Sequence, residues 1–133
     1  MKPEQNNLEE RTACFGEAVI EFCQALRLDA VVDPLVRQLV RAGTSIGAND
    51  CEADEAESKR DFRHKIAICR KETRETRFWR RMVAKACAGE KTAARTLWQE
   101  AKELHLIFCA IIRTTDRNLR AEEQARRKST ASP

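Results

Sequence analysis

The chain has 133 residues, of which 42% are apolar and 35% charged, with only four glycines and three prolines and a net charge of +4. That length suits one domain able to bury a core unaided, and the shortage of turn residues favours long amphipathic helices over a β-rich fold. No apolar run approaches the roughly 18 residues that span a bilayer, and residues 1–10 lack a charged-then-apolar leader pattern, so a cytoplasmic protein without a membrane partner is expected.

Residues 1–7 read as a flexible N-terminus, 8–120 as the folded unit and 121–133 as a polar, basic, disordered tail. In the first helix, expected over about 8–28, Leu8, Thr12, Phe15, Val19, Phe22 and Leu26 recur at steps of four and three, one apolar stripe. Asp33 then offers an N-cap with Pro34 at the first helical position of a second helix, where its missing N–H costs nothing. Ser58 with Asp61 three residues on forms a capping-box-like start to a third helix over about 58–87, and Gly89 is a natural C′ residue. In the fourth, Leu97, Ala101, Leu104, Phe108, Ile111 and Thr115 repeat the stripe from Thr92 to near Arg120. Short links near 29–33 and 88–92 make the neighbours antiparallel, so the expected fold is an all-α, up-down-up-down four-helix bundle.

Charge is unevenly spread. Residues 1–58 carry 5 basic and 12 acidic side chains, a net of −7; residues 59–81 carry 10 and 3, a net of +7; residues 82–133 carry 10 and 6, a net of +4. At 100° per residue Arg63, Arg70, Arg74, Arg77 and Arg81 fall within about 60° of one another along roughly 27 Å of the third helix. Such a line, with Lys59 at its start, suits the repeating phosphates of RNA or DNA, because the arginine fork grips a phosphate through two hydrogen bonds. Phe78 and Trp79 lie off the centre of the stripe, which points to backbone neutralisation rather than base stacking. The competing reading is a solvated face whose arginines pair with the acids of the first two helices. Asp61, Glu72 and Glu75 face away from the stripe, with Lys65 and the flanking helices as candidate partners.

Metal and catalytic signatures are weak. A di-iron bundle needs Glu-x-x-His on two helices; Asp61-x-x-His64 has that spacing once, and Lys102 stands three before His105. No phosphate loop, H-E-x-x-H or nucleophile elbow appears, which leaves a cysteine paired with His64 or His105 as the one open catalytic arrangement. The six cysteines, without a C-x-x-C pair, read as reduced, buried thiols. No enzymatic activity and no cofactor are expected.

In the second helix Gly43 and Gly47 lie one turn apart beside Val36, Leu39, Val40 and Ile46, and each costs about 1 kcal/mol relative to alanine there. Close approach by another helix, in the same bundle or from another subunit, is the physical offset. The run Arg41-x-Gly43-Thr44-Ser45-Ile46-Gly47-Ala48-Asn49, then Glu52-Ala53, then Ser58-x-x-Asp61-Phe62-x-His64-Lys65-Ile66 and Lys71-Glu72-x-x-Glu75-Thr76-x-x-Trp79, resembles the four-helix-bundle proteins encoded in intervening sequences of bacterial 23S rRNA genes. The likeness covers about residues 8–117. That family includes the accessory variability determinant of diversity-generating retroelements. The resemblance implies a homopentameric barrel without enzymatic activity and, for the retroelement member, a basic surface that binds nucleic acid and a reverse transcriptase; the alternative is a protein-only scaffold without nucleic-acid binding. Gly43, Ser45, Ile46, Gly47, Asn49, Glu72 and Trp79 are then the candidate residues for oligomer or helix packing. Asp50 departs from the family, whose members usually carry a hydrophobic or aromatic residue there.

Overall fold

The computed structural model describes residues 3–89 and 91–131, which form four helices: α1 Pro3–Gln24, α2 Val32–Asp54, α3 Lys59–Ala86 and α4 Lys91–Ala131. Each helix packs on its neighbour in the chain, and α1 meets α4 to close the bundle, most sparsely of the four pairs. The apolar stripes supply the core. Phe15, Val19, Leu39, Ile46, Ile66, Cys69, Val83, Leu104 and Phe108 are all buried there. Four threonines share it because each returns its hydroxyl to its own helix: Thr12 to the Glu9 carbonyl, Thr73 to Arg70, Thr76 to Glu72 and Thr115 to Ile111, which satisfies the donor without a partner across the core.

The helix ends depart from expectation in three places. First, α1 stops at Gln24 rather than near 28, and α2 is capped by Asp29 instead of Asp33. Asp29 Oδ1 accepts from the N–H groups of Val31 and Val32 at 2.9 and 2.8 Å, so the helix starts at Val32, ahead of Pro34. Pro34 stays harmless, because its missing N–H falls in the first turn, where no intrahelical bond forms, and Asp33 instead pairs with Arg37 at 3.2 Å.

Second, Ser58 caps α3 as expected, accepting from the Asp61 N–H at 3.0 Å, but the helix leaves through an extended Cys87. Gly89, with φ of 136°, turns the chain two residues later, so it is not the C′ residue.

Third, α4 does not end near Arg120: it continues to Ala131 with residues 120–131 all exposed. Ala, Glu, Gln, Arg and Lys are strong helix formers, and the Glu123–Arg127 pair at 2.8 Å spans one turn of this extension. The expected disordered tail is therefore helical as far as Ala131. Residues 1, 2, 132 and 133 of the two expected flexible ends lie outside the described residues.

Gly43 sets the α1–α2 crossing. A Cβ built on it would stand 2.8 to 3.1 Å from the Val19 side chain, so the close approach that offsets the glycine is made within the bundle, by α1.

Candidate nucleic-acid interface

α3 lies between α2 and α4, and its long polar side chains divide between the two. Lys59 reaches Glu122 of α4. Arg63 holds Asp116 of α4 through two bonds, Nε to Oδ1 at 2.6 Å and Nη2 to Oδ2 at 3.2 Å; the Arg63 guanidinium keeps the Asp116 carboxyl below its usual range. These two of the six expected contact residues are thus neutralised inside the protein. Their partners come from α4, whereas the competing sequence reading looked to the first two helices.

The other four carry no carboxylate. Among the described residues no ion pair reaches Arg70, Arg74, Arg77 or Arg81. Arg77 lies over the Trp98 ring, 4.9 Å from its centroid, with its Nε buried and without a hydrogen-bond partner. Lys102 approaches the same ring at 5.3 Å. Arg80, which the stripe did not include, joins this group: its Nη1 donates to the Ala94 carbonyl at 3.5 Å and its Nε is buried and unpaired. Burial, then the charges of Arg77 and Arg81, hold Arg80 below its usual range. The Arg77–Arg80–Arg81 spacing of one helical turn was the signal available in the sequence.

On the α2 side Arg70 and Arg74 line an open groove of about 850 Å³ together with Gln38, Arg41, Phe78 and Trp79. Phe78 is 52% exposed and meets Trp79 edge to face, with centroids 5.0 Å apart. The two aromatics that sequence reasoning placed off the stripe therefore share a groove with two of its arginines, and a flat exposed ring beside guanidinium groups is a surface on which a base can stack.

His105, on α4, faces these arginines. Thr73 donates its hydroxyl to the Arg70 carbonyl, so the 3.2 Å contact to His105 Nδ1 requires the ring to donate there. Nε2 is then the acceptor for the Cys109 thiol at 3.5 Å. Burial lowers the His105 pKa against an opposing hydrogen bond at the Arg70 backbone, and the charges of Arg77, Arg74 and Arg70 add to the lowering, which favours the neutral ring. Of the two histidines it is His105 that has a thiol beside it, one turn away on its own helix.

Of the acids that face away from the stripe, Glu72 and Glu75 find their partner on α2. Arg41 spans Glu72 at 3.2 Å and Glu75 at 2.8 Å, and Lys65 pairs with Glu52 at 3.1 Å. Of the packing candidates, Ile46 is wholly buried, Ser45 returns its hydroxyl to the Arg41 carbonyl, Asn49 donates to the Ser45 carbonyl, and Trp79 packs against the edge of the core. Gly47 would place a Cβ 3.4 Å from the Thr12 carbonyl oxygen. It also floors a shallow groove between α1 and α2 with Ala13, Gly16, Thr44 and Ala48, rimmed by Glu9, Glu10 and Glu17.

All six cysteines are free thiols, but only Cys23 and Cys69 are buried, while Cys14 and Cys51 lie on outward faces of α1 and α2 and are exposed; no described residues cluster as metal ligands, and no described helix is long and apolar enough to cross a membrane.

Residues 5–110 match the family model described as 23S rRNA-intervening sequence protein. Among solved structures the chain is similar to a crystal structure from Bacteroides thetaiotaomicron VPI-5482, described as a protein with unknown function from the S23 ribosomal protein family. The identity is 24%, the match covers 79% of this chain and 97% of that one, and the TM-score is 0.70, a likeness of fold. No curated protein matches the chain.

Proposed function

The chain belongs to the 23S rRNA-intervening sequence protein family, and from that premise we propose that it is a non-enzymatic, oligomeric accessory protein that holds RNA or DNA by its phosphates through Arg70, Arg74, Arg77 and Arg81. The observation that carries this is the run of arginines left without carboxylates among the described residues, crowded enough that, after burial, the charges of Arg77 and Arg81 lower Arg80 further. A helix that only needed solubility would gain from pairing these charges, as Lys59 and Arg63 do. Unpaired guanidinium groups instead stay available to a polyanion, and the release of its counterions drives association.

Self-association fits the same asymmetry. The groove between α1 and α2 has a floor of small residues and an acidic rim, a complement for the basic side of a second copy. Repeated head to tail, such a contact closes into a ring, of five subunits by the family resemblance, with a reverse transcriptase as its protein partner.

A second reading is favoured by the pairing of Lys59 and Arg63 with α4: a protein-only scaffold whose basic residues serve the fold. Binding to labelled single-stranded RNA and to duplex DNA across a salt series separates the two. Arg70→Gln, Arg74→Gln and Arg81→Gln together form the test variant, since Arg77 also packs on Trp98. Nucleic-acid binding is expected to fall steeply with salt, and the variant to flatten the log–log slope by about 2 to 3 with its oligomer mass unchanged. Absence of binding at low salt, or loss of the oligomer in the variant, establishes the scaffold reading.

A further inference from the structure

The bundle does not close evenly. At the seam where α1 and α4 meet most sparsely, a cavity of about 610 Å³ opens among all four helices, walled by Leu8, Phe62, Ile66, Ile107 and Ile111. Its volume lies within the range of small-molecule sites. Asp50 of α2 lines it and is only 3% exposed, yet among the described residues no hydrogen bond or ion pair reaches its carboxylate.

A buried carboxylate without a partner is costly, and the cation nearest at hand is already committed. Arg11 lines the same cavity, but its guanidinium is held by Glu100 at 2.8 and 2.6 Å and approached by Glu103 at 3.7 Å. Asp54, one turn beyond Asp50, adds a second acid to the lining. Burial first, then the charges of Asp54 and Glu9, push Asp50 up to about 6, so the carboxylate is ionised at neutral pH in a hydrocarbon-walled space with a surplus of negative charge. The lining excludes an anion on that ground. It offers too few donors to replace the water shell of a bare metal ion.

We propose that this cavity is a binding site for a small organic cation, a protonated primary amine on a hydrocarbon body, with Asp50 as its counter-ion. The ammonium supplies the hydrogen bonds that Asp50 lacks, and the hydrocarbon lies against the isoleucines and Phe62.

The probe is n-hexylammonium, titrated calorimetrically into the full chain at pH 7.5, with n-hexanol and hexanoate as equal-length controls. Hexylammonium is expected to bind at least tenfold more tightly than hexanol, and hexanoate not to bind. Asp50→Asn, which keeps the side-chain shape, is expected to lose that tenfold preference and retain hexanol. Ile111→Trp, which fills the cavity, is expected to lose both ligands while circular dichroism confirms the helices. Affinity should also fall as pH drops through about 6. The charged and titratable groups facing Asp50 are Glu9 and Arg11 from α1, Cys51 and Asp54 from α2 and Cys69 from α3, and the lining from α4 carries none. Equal affinity for amine and alcohol, an undiminished preference in Asp50→Asn, or no binding of hexylammonium at millimolar concentration overturns the proposal.

Discussion

The Arg77 guanidinium lies 4.9 Å over the indole of Trp98, joining α3 to α4 through a cation and a ring instead of through an ion pair. Arg77 is half-buried while its neighbour on the stripe, Arg74, is exposed, so one residue contributes to packing and the other to surface potential. Arg77→Ala is expected to lower stability by about 1 kcal/mol, read as a shift in the urea midpoint followed by tryptophan fluorescence. Arg74→Ala should stay within about 0.5 kcal/mol of the parent while weakening nucleic-acid binding. Equal midpoints for the two variants would contradict this division.

Gly43 and Gly16 make opposite forecasts for the same substitution. At Gly43 a Cβ meets Val19 at 2.8 Å, whereas at Gly16 the first contact, with Thr44, is an ordinary 3.7 Å. Gly43→Ala should cost about 1 to 3 kcal/mol through overpacking, partly recovered in combination with Val19→Ala. Gly16→Ala should gain up to about 1 kcal/mol from helix propensity. Thermal melts of the three variants decide the matter, and a stabilised Gly43→Ala would mean that α1 and α2 can separate freely.

Among the described residues Arg41 is the one cation that forms an ion pair with the buried Glu72. Burial, then Glu75, raises the Glu72 pKa, and Arg41 opposes the rise. Arg41→Ala should cost about 2 kcal/mol at pH 7, because a buried charge is left unsatisfied. Without Arg41 the folded-state pKa of Glu72 climbs further above its unfolded value, so the cost should shrink as pH falls and the carboxyl takes up a proton. A penalty independent of pH between 5 and 7.5 would place the effect elsewhere.

Asp50 and His105 pull stability in opposite directions with pH. The folded pKa of Asp50, about 6, stands above the ordinary 3.8, so the folded state binds the extra proton and stability is lost as pH rises from the unfolded value through about 6, by roughly 3 kcal/mol. His105 is lowered, so its contribution is lost as pH falls below the unfolded histidine value. Asp50→Asn should therefore be more stable than the parent at pH 7 and converge with it near pH 4. Parallel pH profiles of the two proteins would show that Asp50 is already neutralised.

The helices were legible in the sequence because the signal is local and repeated: Leu8 to Phe22 and Leu97 to Thr115 mark the core at every turn, and Ser58 caps α3 by contacts three residues away. The extension of α4 past Arg120 is not legible from polarity, which an exposed helix shares with a disordered tail, although its residues favour a helix. Of the interface, the presence of a basic stripe was visible, but not which of its members were already neutralised. That depended on Asp116, Glu122 and Trp98, which lie 53, 63 and 21 residues from Arg63, Lys59 and Arg77.

Composition and periodicity by themselves determined an all-α bundle with one acidic and one basic half, since burial of a stripe and repulsion of like charges follow from residue order alone. Only the tertiary structure decided that Gly43 serves α1, that Arg70, Arg74, Arg77 and Arg81 remain without carboxylates, and that Asp50 is buried beside a cavity. Each of those depends on which side chains of distant segments arrive within a few ångströms, and a charge acquires its worth from its partners and its loss of water.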